Sequence, residues 1–211
     1  MIKRILLVLS LTFAAALAMA QQDFYHRPGF LAGRTVLTLA LFEEVQTELK
    51  TPADFKQKSE ALLGKMQGEI QELFQNAGGD FSSIRPAIEK VNAKYDDETF
   101  KLLTAEQVKR IKELFIQFNG AAAVPHPAIA KDLGITEDQK TKIKAAQDDN
   151  GRKLMESFGS GGSPEEARKT IEKLQNDLKA EIEKLLTEEQ KTKFKEMQGA
   201  KFEFKKVAPN P

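Results

Sequence analysis

The stretch Leu102-Leu103-Thr104-Ala105-Glu106-Gln107 returns as Leu185-Leu186-Thr187-Glu188-Glu189-Gln190, an offset of 83 residues. Leu-Thr-x-x-Gln is the pattern of a capping box. The threonine hydroxyl accepts from the backbone N–H three residues on, and the glutamine side chain reaches back to the threonine N–H. Each copy therefore marks a sharp helix start, and each threonine is expected to contribute about 1 kcal/mol. Ile135-Thr136-Glu137-Asp138-Gln139 is a conservative third copy. Thr51-Pro52-Ala53-Asp54 is a degenerate fourth, without the leading apolar residue or the glutamine; there Thr51 is predicted as N-cap and Pro52 as first helical residue. Glu106, Glu137 and Glu188 in the first turns complement the helix dipole.

The segments between these corners carry helical stripes. Leu37, Leu41, Val45 and Leu49 recur every fourth residue, which predicts one amphipathic helix over that stretch. Phe55, Leu62, Met66, Ile70 and Leu73 share a face up to Gly78-Gly79, and Ile84, Ile88, Val91, Tyr95 and Leu102 share the next. Val108, Ile111, Phe115 and Phe118 mark a further helix that stops at Asn119-Gly120. Beyond Pro125 and Pro127 the plan recurs: a short helix to Leu133 capped by Gly134, then Ile143, Leu154 and Phe158 on one side of a longer one. The run Gly159-Ser160-Gly161-Gly162 reads as a hairpin loop, followed by Ile171, Leu174, Leu178, Ile182 and Leu185, then by Phe194 and Met197. Val45 to Leu49 lies over Ile129 to Leu133 at an offset of 84, next to the 83 of the motifs, so an internal duplication is expected. The fold class read from this is all-α: antiparallel amphipathic hairpins in two similar tandem units, over 35–120 and 128–204, with 121–127 as linker.

The first twenty residues differ in kind. Lys3 and Arg4 precede a run of apolar or small residues from Ile5 to Leu17, and Ala18-Met19-Ala20 supplies a small-x-small cleavage site. That is the layout of a secretory signal peptide over 1–20, cut after Ala20, and it predicts a periplasmic or secreted protein. This run of thirteen apolar or small residues spans only about 20 Å as a helix, short of a bilayer core of roughly 30 Å, so stable membrane insertion is not expected. Residues 21–34, with Pro28 and Gly29, read as an irregular leader, and 205–211 as a flexible tail. Without Lys3 and Arg4 the basic residues fall from 32 to 30 against 31 acidic ones, and that near-neutral balance gives no reason to expect nucleic acid as a partner. The chain has no cysteine, so packing rather than disulfides must hold it.

An export signal, the absence of strand-like alternation, and repeated Leu-Thr-x-x-Gln corners opening amphipathic helices resemble the LTxxQ-motif (Spy/CpxP-like) family of periplasmic proteins. The resemblance covers 45–120 and again 126–200. It implies a bent helical hairpin with the motifs at its corners. It also implies a chaperone or envelope-stress role, with unfolded or partly folded envelope proteins, or one specific envelope protein, as partners. Small members carry one unit and dimerise. With two units here, the resemblance implies either a homodimer or a cradle built within one polypeptide.

Constellations for catalysis are hard to assemble from these residues, so no enzyme activity, cofactor or metal is expected. His26 and His126 sit in proline-flanked loops and read as surface residues. Asp96-Asp97 and Asp148-Asp149 offer oxygen ligands but read as solvated helix faces. The Gly159 to Gly162 run has no lysine placed as a phosphate-binding loop requires. A binding role suits the composition better: fourteen phenylalanines supply apolar anchors and interspersed lysines supply charge. Phe115, Phe158 and Phe194 are assigned to the core, while Phe118, Phe202 and Phe204 are the candidate client contacts. The expected function is an ATP-independent periplasmic chaperone or envelope-stress binding protein; the alternative is a structural or regulatory adaptor docking one specific envelope partner.

Overall fold

The computed structural model describes residues 34–77, 81–159 and 164–205. The export signal over 1–20, the leader up to residue 33, His26, Gly78-Gly79, residues 160–163 and residues 206–211 lie outside the described residues, as does the side chain of Phe158. Among the described residues the chain is all-α, with nine α-helices and no strand. They are α1 (Val36–Ala40), α2 (Glu43–Leu49), α3 (Phe55–Asn76), α4 (Phe81–Phe100), α5 (Ala105–Asn119), α6 (Pro127–Leu133), α7 (Glu137–Gly159), α8 (Pro164–Leu185) and α9 (Glu188–Glu196). A 3-10 turn, Gly120–Ala123, links α5 to α6. None of these helices is long and apolar enough to cross a membrane.

Packing divides the chain into two units, one running to Leu102 and including Phe204 onward, the other Leu103–Glu203. The boundary differs from the one expected at 121–127, because that stretch is no linker. Ala121, Ala123 and Val124 are buried to 2% exposure or less, and the 3-10 turn packs on both α5 and α8. So α5 belongs to the second unit.

In the first unit α3 lies along α4, and α1 sits against both. Leu37, Met66 and Tyr95 form the buried centre, with Leu62, Leu63, Ile70 and Val91 packed around it. Each buried large apolar side chain contributes about 1.5–3 kcal/mol relative to exposure. The single helix expected through Leu37 and Leu49 is broken at Leu41-Phe42. The reason is tertiary. All five residues of α1 are buried, and its ends are satisfied from elsewhere: Asp96 Oδ1 accepts the Leu37 N–H at 2.9 Å, and Gln46 Nε2 donates to the Ala40 carbonyl at 3.0 Å. At the other flank of the hairpin, Lys94 and Tyr95 both donate to Glu69 Oε1, at 2.5 and 2.8 Å.

In the second unit α7 lies along α8, and α9 packs on α6. Ile143 and Ile182 are its most deeply buried hairpin residues. Asn150 Nδ2 donates across the hairpin to the Leu174 carbonyl at 2.6 Å. The outer face of α7 carries ion pairs at helical spacing, including Lys142–Asp138, Arg152–Glu156 and Lys153–Asp149. Exposed pairs of this kind contribute little each.

Candidate functional site

The three Leu-Thr-x-x-Gln copies each build a capping box. Gln107 N–H donates to Thr104 Oγ1 at 3.3 Å while Gln107 Oε1 accepts the Thr104 N–H at 2.9 Å. The same reciprocal pair joins Thr136 to Gln139, at 3.2 and 3.0 Å, and Thr187 to Gln190, at 3.1 and 3.0 Å. The leading apolar residue points inward at two of the corners: Ile135 and Leu186 are buried, and Leu103 is half-buried.

Two of the boxes are fastened to each other. Gln139 Nε2 donates to Gln190 Oε1 at 2.6 Å, and Gln190 Nε2 donates back to Gln139 Oε1 at 3.0 Å. The second hydrogen on each amide goes to a helix end on the far side: Gln139 to the Leu185 carbonyl at 2.8 Å, Gln190 to the Gly134 carbonyl at 3.2 Å. All four carboxamide N–H bonds are used, and each side-chain oxygen takes one bond from its own box and one from its partner. This arrangement explains the residue type. A glutamate offers acceptors only, whereas the site needs two donors and an acceptor from each side chain. Gln139, at 9% exposure, is shielded enough that an unmade bond there would be costly. Leu103, Thr104 and Gln107 make their box at the start of the same unit, on α5.

The Thr51 corner departs from the expectation. The α3 helix begins at Phe55, not at Pro52, and its N-cap residue Asp54 makes no side-chain cap bond. Thr51 spends its N–H on the Gln46 carbonyl at 3.2 Å, closing the end of α2 instead. Pro52 has no N–H for a box to serve.

His126 is the N-cap of α6, with Nδ1 accepting the Ala128 N–H at 3.3 Å, and its ring packs on Phe115 with centroids 4.9 Å apart. Asp96 is the buried acceptor at the start of α1, and Asp149 is paired with Arg152 and Lys153, whose bonds hold its carboxyl below the usual aspartate range. Among the described residues no group of three or more His, Cys, Asp or Glu side chains is placed to hold a metal.

Of the aromatic residues, Phe115 and Phe194 are buried, while Phe118, Phe202 and Phe204 are each half-buried. The residue that sequence reasoning missed is Phe74, near the end of α3 and 44% exposed. Its spacing gave no sign of this, since it stands four residues after Ile70, at the edge of the same stripe. An open, shallow surface on α9 is lined by Glu188, Glu189, Thr192, Lys193 and Glu196. No protein-family model, curated protein or solved structure matches the chain.

Proposed function

We propose that this chain is an exported helical binding protein of the LTxxQ (Spy/CpxP-like) type, an ATP-independent chaperone or envelope-stress protein for unfolded or partly folded envelope proteins. The observation that carries this reading is the clasp between Gln139 and Gln190. Two copies of the motif act there as one device that fixes a helix corner, which is more than two independent helix starts require. The offset of 84 between Lys50 and Gly134, each ending a seven-residue helix in the left-handed region, supports an internal duplication. The layout of residues 1–20 supports export. Exposed charge at helical spacing, together with half-buried phenylalanines, suits weak, charge-assisted attraction to many clients.

The test is light scattering from a chemically unfolded protein as it refolds, with and without the mature chain and without nucleotide. Suppression at near-stoichiometric ratio, weakened by salt, is the expected result. No effect on several unrelated clients overturns the chaperone reading and leaves an adaptor for one specific envelope partner.

A further inference from the structure

The segment after α9 is held along α5 by its main chain. Gln117 Nε2 donates to the carbonyls of Gln198, at 2.5 Å, and Ala200, at 2.9 Å, while Gln117 Oε1 accepts the Phe202 N–H at 2.8 Å. Arg110 adds a bond to the Ala200 carbonyl at 2.9 Å and is steadied by Glu113 at 2.7 Å. Positions 110, 113 and 117 fall at i, i+3 and i+7, one face of the helix. The groups they grip sit at alternate residues, 198, 200 and 202, whereas the side chains of Lys201 and Glu203 between and beyond them are exposed. At one position the grip requires the absence of a side chain. Gly199 has φ +61°, and a Cβ there would stand 2.1 Å from Glu113 Oε2.

We propose that this face of α5 is a binding site for the main chain of a non-helical polypeptide segment, occupied at rest by the chain's own residues 198–202 and opened to a client when that strap leaves. Main-chain hydrogen bonding gives affinity without reading sequence, which is the chemistry a binder of many unfolded chains needs. The occupant shows what the face accepts: two carbonyls and one N–H of a non-helical segment, with a small residue at the closest approach. The proposal rests on the binding-protein reading above and gives it a surface and a resting state.

The experiment uses the full mature chain and a labelled peptide with the sequence of residues 198–205. Gly199→Ala disfavours the strap, because its Cβ would crowd Glu113 and its φ of +61° suits glycine, and it leaves the sequence of α5 unchanged. Trypsin cleavage after Lys201, followed by mass spectrometry, should accelerate by about tenfold or more, and the peptide should bind the variant about tenfold more tightly than it binds the parent. N-methylating the peptide's Phe202 amide should abolish that gain. Adding Gln117→Leu should keep the fast cleavage and remove the binding. Phe202→Pro, which deletes the N–H from the strap itself, is the second variant should Gly199→Ala fold poorly; because trypsin does not cut before a proline, it is read by peptide binding alone, which should tighten in the same way. Fast cleavage without peptide binding, or binding indifferent to N-methylation or to Gln117→Leu, overturns the proposal. If the site fails in this way while the parent still suppresses aggregation, the chaperone reading stands. Peptide binding without suppression removes the chaperone reading and keeps the site.

Discussion

Two helix corners, one in each unit, share a backbone and differ in what closes them. After α2, Lys50 adopts φ 51° and ψ 49°, its N–H reaching the carbonyls of Gln46 and Thr47. After α6, Gly134 adopts φ 72° and ψ 38°, its N–H reaching Ala130 and Lys131, which lie 84 residues further on. The next N–H bonds back in the same way in both, Thr51 to Gln46 at 3.2 Å and Ile135 to Ala130 at 2.9 Å. Then the corners part. Where the second unit has Thr136, with an N–H to satisfy, the first has Pro52, with none. Three residues later the second unit places Gln139 and the first places Phe55, 1% exposed. One backbone turn can thus be closed by a neutral polar clasp or by an apolar plug, and the presence of a single donor decides between them.

The difference predicts how each corner fails. Phe55→Ala should cost the most, about 3–5 kcal/mol, because it empties a buried aromatic site; urea unfolding measures it, and hydrogen exchange should place the loss in α2 and α3. Gln139→Ala should cost about 2–3 kcal/mol, since it leaves the Thr136 N–H and the Leu185 carbonyl without that partner. Paired with Gln190→Ala in a double-mutant cycle, it should show coupling of about 1 kcal/mol, and strict additivity would mean the clasp is not a unit. At the left-handed residues the signs should oppose: Gly134→Ala should lose about 1 kcal/mol and Lys50→Gly should gain a similar amount. A loss from Lys50→Gly would show that its side chain contributes more than its backbone strain costs.

The smallest effect is one of pH, and it belongs to the first unit. Burial, and then the bond to Glu69, raises Tyr95 above the usual tyrosine range. A group held protonated in the fold contributes stability that is whole below its ordinary value and is lost as pH rises through its folded value. Alkaline titration should therefore weaken the α3–α4 packing, and Tyr95→Phe should flatten that dependence and delete the late component of the phenolate absorbance. On the acid side, the bonds from Lys94 and Tyr95 hold the Glu69 carboxyl below the usual glutamate range. Their contribution is present at neutral pH and fades as pH falls through that depressed value.

The helices and three of the corners were legible because their causes are local. A four-residue stripe and a threonine three residues before a glutamine act within one or two turns. The rest depends on distant residues. The start of α1 is anchored by Asp96, 59 residues from Leu37, and the clasp joins glutamines 51 residues apart. The burial of the 3-10 turn had a visible sign, an apolar run from Ala121 to Val124 that is poor linker composition. The strap had none: Gln117 reads main chain, which every segment offers alike.

The clasp of Gln139 and Gln190 contains no ionisable and no oxidisable atom. Acidity, ionic strength and redox potential have little hold on it. Its weakness is hydrolysis. Deamidation of either side chain would exchange an amide nitrogen for a carboxylate oxygen, turning two donors into acceptors that face a carbonyl and a second side-chain oxygen. The corner would then open with the age of the molecule rather than with its surroundings.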